Sequence, residues 1–95
     1  MPAVLRFNKP AIAEKSARLA AAMGLPAAGD ATETVAAAVA SLNARLGLPR
    51  GLGAMGVPAG ALAEIASAAT ADHCHATNPR AASAGDYVKM LEAAY

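Results

Sequence analysis

The sequence predicts an all-α fold, a small bundle of about four to five helices, formed as a single domain over residues 1–95. Three observations predict it. The chain is 95 residues long and 56% hydrophobic, largely through alanine, which has the highest helix propensity. Apolar residues recur with the helical period of 3.6, and no useful stretch alternates with the period of two that a strand requires. Because alanine buries little area, we expect a thin core.

The first predicted helix covers residues 10–23. Asn8 is its expected N-cap, and Pro10 suits the opening turn because a proline lacks the N–H that a first turn leaves unused. Gly24 supplies a left-handed stop after the last turn. The face expected to point inward carries residues at helical spacing: Ile12, Ser16, Leu19, Ala20 and Met23.

The second predicted helix covers residues 31–46. Asp30 and Glu33 have the spacing of a capping box, although Asp stands where Ser or Thr is usual. Its apolar stripe consists of Val35, Val39, Leu42 and Leu46. Both helices are followed by Gly-Leu-Pro, at residues 24–26 and 47–49. Shared C-cap chemistry explains this similarity more simply than an internal repeat, since two copies are too few for a solenoid.

A glycine-rich segment follows at residues 50–57. Its spacing does not match G-x-G-x-x-G, no strand precedes it, and no Gly-Lys-Ser/Thr follows, so a phosphate-binding loop is disfavoured. We interpret the segment as a connector whose Leu52, Met55 and Val57 insert into the core.

Two more helices complete the predicted bundle. The third covers residues 58–71 and is expected to turn four residues inward: Leu62, Ile65, Ala66 and Ala69. The fourth covers residues 84–94, with Ser83 as N-cap and Asp86 at the third helical position. Its predicted stripe consists of Val88, Leu91 and Tyr95.

Charge and composition exclude several classes of protein. A net charge of +1 without a run of like charges argues against a nucleic-acid partner. No apolar run approaches the ~18–20 residues that cross a bilayer, so no membrane partner is expected. The single cysteine cannot form an internal disulfide, which is typical of a cytoplasmic protein.

Residues 72–80, Asp-His-Cys-His-Ala-Thr-Asn-Pro-Arg, contain the only cysteine and both histidines of the chain. A metal site is one interpretation, but His73 and His75 would point about 200° apart on a helix, and one His-x-His pair gives two ligands where structural zinc takes four. A second interpretation is a nucleophile formed by Cys74 and a histidine, although side chains adjacent in sequence usually diverge. The third is a simple helix end, with Asn78-Pro79 holding the following segment out of helical geometry.

Two patterns in the chain resemble the C-terminal part of the iron-containing (group III) alcohol dehydrogenase family. The family pattern Leu-Pro-His-Val-x-Arg-Phe/Tyr-Asn is matched near the start by Pro2, Val4, Arg6, Phe7 and Asn8. The pattern Asp-x-Cys-x-x-x-Asn-Pro-Arg is matched by Asp72, Cys74, Asn78, Pro79 and Arg80. The order and spacing are similar over the whole chain, and Ala3 stands where the first pattern usually has His.

The resemblance implies the C-terminal portion of a dehydroquinate-synthase-like helical domain. The parent family uses NAD(P) and a divalent metal, Fe or Zn, held by one Asp and three His that lie upstream of the first pattern. We therefore expect no catalytic, cofactor-binding or metal-binding residues in this chain. The family's cysteine borders the substrate pocket near the nicotinamide, so the resemblance makes Cys74 a pocket-lining residue, with His73 and His75 as possible neighbours.

Two functions follow as hypotheses. The first is the C-terminal helical portion of an NAD(P)-dependent, metal-dependent alcohol dehydrogenase, forming one wall of the substrate pocket and inactive alone. The second is a free-standing helical module that acts in self-association or partner binding. In either case the apolar face left by missing helices, around Val4, Leu5 and Phe7, predicts a homo-oligomer.

Overall fold

The computed structural model describes residues 1–26 and 29–95, and it is helical. Its α-helices are α1 Pro2–Ala22, α2 Ala31–Arg45, α3 Leu62–Ala71 and α4 Ala84–Glu92. Short 3₁₀ helices lie at Gly53–Met55, Ala59–Ala61 and His73–Thr77. No strand occurs among the described residues, which confirms the all-α class. No described helix combines the length and apolarity that crossing a membrane requires.

The chain divides into two compact units, unit 1 at Met1–Leu48 and unit 2 at Pro49–Tyr95. Unit 1 contains α1 and α2, which pack against each other. Unit 2 contains α3 and α4, which also pack against each other. The prediction that residues 1–95 form a single domain stays a prediction.

Helix α1 begins eight residues earlier than the sequence predicted. It starts at Pro2 and continues through Pro10. A proline inside a helix removes one backbone hydrogen bond and disfavours helical geometry at the residue before it. Asn8 is therefore not an N-cap; it lies inside the helix and is 6% exposed. Asn8, Ser16 and Ala20 are buried on this helix, and packing of α1 against α2 offsets the cost of the proline.

Helix α2 begins where the sequence predicted, at an Asp30 cap. One Asp30 carboxylate oxygen accepts hydrogen bonds from the backbone N–H groups of Thr32 at 3.1 Å and Glu33 at 3.2 Å. The reciprocal half of the predicted capping box is not made by Glu33. Its carboxylate instead accepts two bonds from the Arg6 guanidinium, at 2.7 Å from Nε and 2.6 Å from Nη2.

Two ion pairs join the first half of α1 to the start of α2. Beside the Arg6–Glu33 pair, Lys9 Nζ lies 2.6 Å from an Asp30 oxygen. The hydrogen bond from Arg6 lowers the pKa of Glu33, and the bond from Lys9 lowers the pKa of Asp30. Because the paired side chains are between 38% and 55% exposed, solvent weakens both pairs and they orient α2 more than they stabilise it.

Both Gly-Leu-Pro segments end their helices as predicted. Gly24 has φ 66° and Gly47 has φ 68°, the left-handed region in which glycine avoids a Cβ clash. Leu25 N–H then donates to the Ala20 carbonyl at 2.9 Å, and the corresponding bond from Leu48 to Asn43 measures 3.0 Å. These six-to-one bonds are those of a Schellman motif, so the shared C-cap chemistry is confirmed.

The predicted apolar stripes are buried only in part. In unit 1, Val35 is buried, while Leu19, Met23, Leu42 and Leu46 are exposed. The buried positions of α1 and α2 include small or polar residues, such as Ala20, Ala36 and Thr32. The core of unit 1 therefore lies where alanines allow the helices to approach closely, and several larger side chains remain on the surface.

In unit 2 the two helices enclose a small core of Leu62, Ala66 and Met90. The predicted third helix opens with the 3₁₀ helix Ala59–Ala61 before α3 begins. Helix α4 ends two residues earlier than predicted. Its capping box is confirmed: the Asp86 N–H donates to the Ser83 hydroxyl at 3.2 Å, and the Ser83 N–H donates to Asp86 at 2.9 Å.

The glycine-rich segment of unit 2 holds Tyr95. Leu52 N–H donates to the Ala94 carbonyl at 2.9 Å, and the Tyr95 hydroxyl donates to the Val57 carbonyl at 3.1 Å. A Cβ on Gly51 would overlap the backbone of Tyr95, and a Cβ on Gly53 would lie 2.9 Å from its ring. The segment is a connector, as predicted, but Met55 is 65% exposed, so its predicted insertion into the core is wrong.

Candidate functional site

The segment at residues 72–80 begins where α3 ends. Asp72 takes an extended conformation and caps the 3₁₀ helix His73–Thr77, with its carboxylate accepting from the Cys74 N–H at 2.7 Å. At the other end, the Thr77 hydroxyl donates to the Cys74 carbonyl at 2.9 Å. Asn78 is again extended, which confirms that the Asn-Pro pair stops helical geometry. Local hydrogen bonds therefore hold the backbone around Cys74.

The side chains of Asp72, His73 and Cys74 converge on one side of this turn. Cys74 Sγ lies 3.3 Å from His73 Nε2, and His73 Nδ1 lies 3.7 Å from an Asp72 oxygen. The expectation that neighbouring side chains diverge is wrong here, because a 3₁₀ turn following an extended residue differs from both helix and strand. All three residues are exposed, and the group lies at the surface of unit 2.

His75 plays a different part from His73. It is half-buried, and its Nδ1 lies 3.0 Å from the Tyr87 hydroxyl on α4. The two rings are 5.7 Å apart between centroids and inclined by 49°. His75 thus fastens the segment to α4. Sequence reasoning did not identify this pair, since nothing in the spacing of 12 residues connects a 3₁₀ turn to a later helix.

The thiol of Cys74 is free and exposed. Its hydrogen bond to the Asp72 carboxylate is the main reason that the pKa of Cys74 is raised, and desolvation and charge repulsion act in the same direction. A raised pKa keeps the thiol protonated, which is the opposite of what an activated nucleophile requires. Although His73 lies within reach of the thiol, the neighbouring Asp72 carboxylate therefore disfavours a Cys–His nucleophile. Cys74 is exposed in unit 2 rather than buried at the end of α3, and its pocket-lining role stays a prediction.

A depression lies in unit 1, with a volume of about 460 Å³. It is lined by Lys9, Ala13, Ala17 and residues 29–32. Its charged groups, Lys9 and Asp30, are paired with each other at 2.6 Å. The two charged groups therefore satisfy each other, and we assign no ligand to this depression.

Comparison with known proteins relates the chain to dehydrogenases and reductases. Residues 1–95 match the family model for the C-terminal part of the Fe-containing alcohol dehydrogenase family. The chain is 48% identical over 96 residues to the 4-hydroxybutyrate dehydrogenase of Cupriavidus necator, covering 97% of this chain and 24% of that protein. It is 32% identical over 99 residues to the lactaldehyde reductase of Escherichia coli K12, covering 100% and 26% respectively. The chain thus spans about a quarter of the length of these curated relatives. No solved structure matches it.

Proposed function

Because the chain belongs to the Fe-containing alcohol dehydrogenase family and corresponds to its C-terminal part, we propose that it is one portion of an NAD(P)-dependent, metal-dependent alcohol dehydrogenase and is inactive alone. In this proposal the segment around Cys74 forms one wall of the substrate pocket. The exposed thiol of Cys74, in the Asp-x-Cys-x-x-x-Asn-Pro-Arg pattern, is the observation that carries it. The reducing cytoplasm is the proposed location, in keeping with a free thiol.

The residues present do not fit the metal site expected of the family. That site takes one Asp and three His, whereas the group that converges in the described part of this chain offers one carboxylate, one imidazole and one thiol. His75 is engaged with Tyr87. The glycine segment does not fit a dinucleotide either, since the space beside Gly51 and Gly53 is filled by Tyr95. We therefore derive no catalytic step from this chain.

The relatives suggest a class of substrate for the whole enzyme. One is named for 4-hydroxybutyrate and the other for lactaldehyde, both small oxygenated compounds. We propose that the parent enzyme acts on short alcohols of this kind. The thiol of Cys74 would contribute a small, weakly polar surface against the substrate carbon chain.

A chimera tests this proposal. The chain would replace the matching quarter of the Cupriavidus necator 4-hydroxybutyrate dehydrogenase, and oxidation of 4-hydroxybutyrate would be compared with that by the chain alone, given NAD(P)⁺ and Fe²⁺ or Zn²⁺. We expect turnover from the chimera and none from the chain. In the chimera, Cys74→Trp should raise KM by obstructing the pocket, whereas Glu92→Trp, at an exposed position of α4, should not. Turnover by the chain alone, or equal KM values for the two variants, would contradict the proposal.

Self-association is the second candidate, and exposed apolar side chains in unit 1 favour it. These are Met1, Val4, Leu19, Met23, Leu42, Leu46 and Leu48, of which Leu46 is 64% exposed. Large exposed apolar areas on small proteins usually mark an interface. We propose that copies of the chain cover some of these side chains in a homo-oligomer.

Sedimentation of the chain at a series of concentrations tests the oligomer. We expect a mass above that of one chain at micromolar concentration, reduced by Leu46→Glu. The control is Ala40→Glu, which adds the same charge at an exposed position within α2 and should leave the mass unchanged. A single-chain mass at every concentration would exclude self-association.

A further inference from the structure

The convergence of Asp72, His73 and Cys74 brings together three kinds of metal-binding atom. A carboxylate oxygen, an imidazole nitrogen and a sulfur lie within 4.8 Å of one another. The ligands of a tetrahedral zinc ion lie about 2.0–2.3 Å from the ion and hence about 3.3–3.8 Å apart. The 3.3 Å between Cys74 Sγ and His73 Nε2 already has this value. The wider separations need only rotations of exposed side chains.

Hydrogen bonds of the turn already hold the three residues close to one another, so binding an ion requires little further ordering of the backbone. The bond from Cys74 N–H to one Asp72 oxygen, at 2.7 Å, fixes the relation of the first and third residues. The Asp72 carboxylate also supplies a ligand atom within 4.8 Å of those of His73 and Cys74. His75, turned toward Tyr87 on α4, anchors the following residue, so the turn is held at both sides of the thiol.

The charges of the group also favour a divalent cation. The Asp72 carboxylate and a Cys74 thiolate would repel each other at this separation, and a cation between them offsets both. A mixed oxygen, nitrogen and sulfur set suits borderline-soft ions such as Zn²⁺ and Co²⁺ better than Ca²⁺ or Mg²⁺, which take oxygen ligands. Binding would release the thiol proton to solvent.

We propose that Asp72, His73 and Cys74 form an open binding site for a divalent transition-metal ion of the Zn²⁺ class, with solvent completing the coordination. The site differs from the Asp and three His of the family's catalytic metal. It does not depend on the proposed dehydrogenase function. Because the group is exposed, the site exchanges its ion with solvent and takes one ion per chain.

Titration of the full 95-residue chain with Co²⁺ under anaerobic conditions tests the site, since a thiolate–cobalt bond gives a charge-transfer band in the near ultraviolet. We expect a saturable band at one ion per chain. Cys74→Ser should abolish the band. His73→Ala and Asp72→Asn should each weaken cobalt binding at least about tenfold. Loss of a residue that only hydrogen-bonds to a metal ligand commonly costs that much, and loss of a ligand should cost no less. The Asn variant keeps a capping side chain for the turn.

His75→Ala is the matched control, because it removes a neighbouring imidazole that lies outside the proposed ligand set. Its cobalt affinity should fall less than that of His73→Ala, because it loosens only the anchor between the turn and α4, with helical content checked by circular dichroism. The proposal is overturned by the absence of a saturable band, by unchanged affinity in His73→Ala, or by equal losses in the two histidine variants. One ion per two chains would also overturn it. None of these readouts involves alcohol or NAD(P), so their failure is distinct from failure of the dehydrogenase proposal.

Discussion

Substitution of Gly51 by alanine should release Tyr95 from the glycine-rich segment. Gly51 does not have a positive φ, so alanine meets no backbone penalty there, and the cost is steric. The added Cβ would overlap the Tyr95 carbonyl and lie 2.9 Å from the Ala94 carbonyl oxygen. Both contacts are with backbone atoms, which cannot rotate away as a flexible side chain can. The last residues of unit 2 must therefore shift.

The magnitude follows from the bonds that this shift breaks. Displacement of residues 94 and 95 removes the bond from Leu52 to Ala94 and the bond from the Tyr95 hydroxyl to Val57. At about 0.5–1.5 kcal/mol for each hydrogen bond, the loss is about 1–3 kcal/mol. For a domain of this size, each kcal/mol lowers Tm by roughly 4–8 °C.

Thermal and urea unfolding followed by circular dichroism would measure this loss. Gly60→Ala is the matched control, because a Cβ there has nothing within 4 Å and Gly60 does not have a positive φ. We expect Gly60→Ala to leave Tm unchanged or raised, since alanine reduces the freedom of the unfolded chain. Tyr95→Phe should lose only the hydroxyl bond, about 0.5–1.5 kcal/mol. If Gly51→Ala is as stable as Gly60→Ala, Tyr95 is not held by this segment.

Three further predictions concern the thiol, a helix cap and an ion pair. Asp72→Asn should lower the pKa of Cys74 by removing the carboxylate that raises it, so a thiol reagent at mildly alkaline pH should label this variant faster; an equal rate would contradict the assigned cause. Ser83→Ala should destabilise unit 2 by about 1 kcal/mol through loss of the α4 cap, as measured by urea unfolding. Ser83→Asp keeps a capping side chain, so a Ser83→Asp variant no more stable than Ser83→Ala would argue against capping. The hydrogen bond from Arg6 lowers the pKa of Glu33. The pair therefore stabilises unit 1 at pH values above the ordinary pKa of a carboxyl group, and this stabilisation is lost as pH falls through the lowered pKa. Glu33→Gln should therefore make stability less dependent on pH between about 5 and 2, by a small amount since both side chains are about half exposed, and an unchanged acid profile would refute the coupling.

The sequence by itself determined the helical class and the local signals that start and stop helices. Asp30, Ser83 and the two Gly-Leu-Pro stops act as predicted because capping depends on neighbouring backbone groups within a few residues. The family assignment was also accessible, since the Asp-x-Cys-x-x-x-Asn-Pro-Arg pattern lies within nine consecutive residues. These features need no knowledge of which helix packs against which.

Tertiary structure decided the features that depend on residues distant in the chain. Packing of α1 against α2 keeps α1 helical through Pro10, against the local preference, while the pairing of Arg6 with Glu33 orients α2. The same pairing takes Glu33 away from its capping box. The exposure of Leu42 and Leu46 follows from helices that approach through small residues, and the bond from His75 to Tyr87 follows from the packing of α3 against α4. Local propensity is worth a few tenths of a kcal/mol to about one for ordinary residues and about 3 kcal/mol for a proline inside a helix, and burial of side chains between helices can override it.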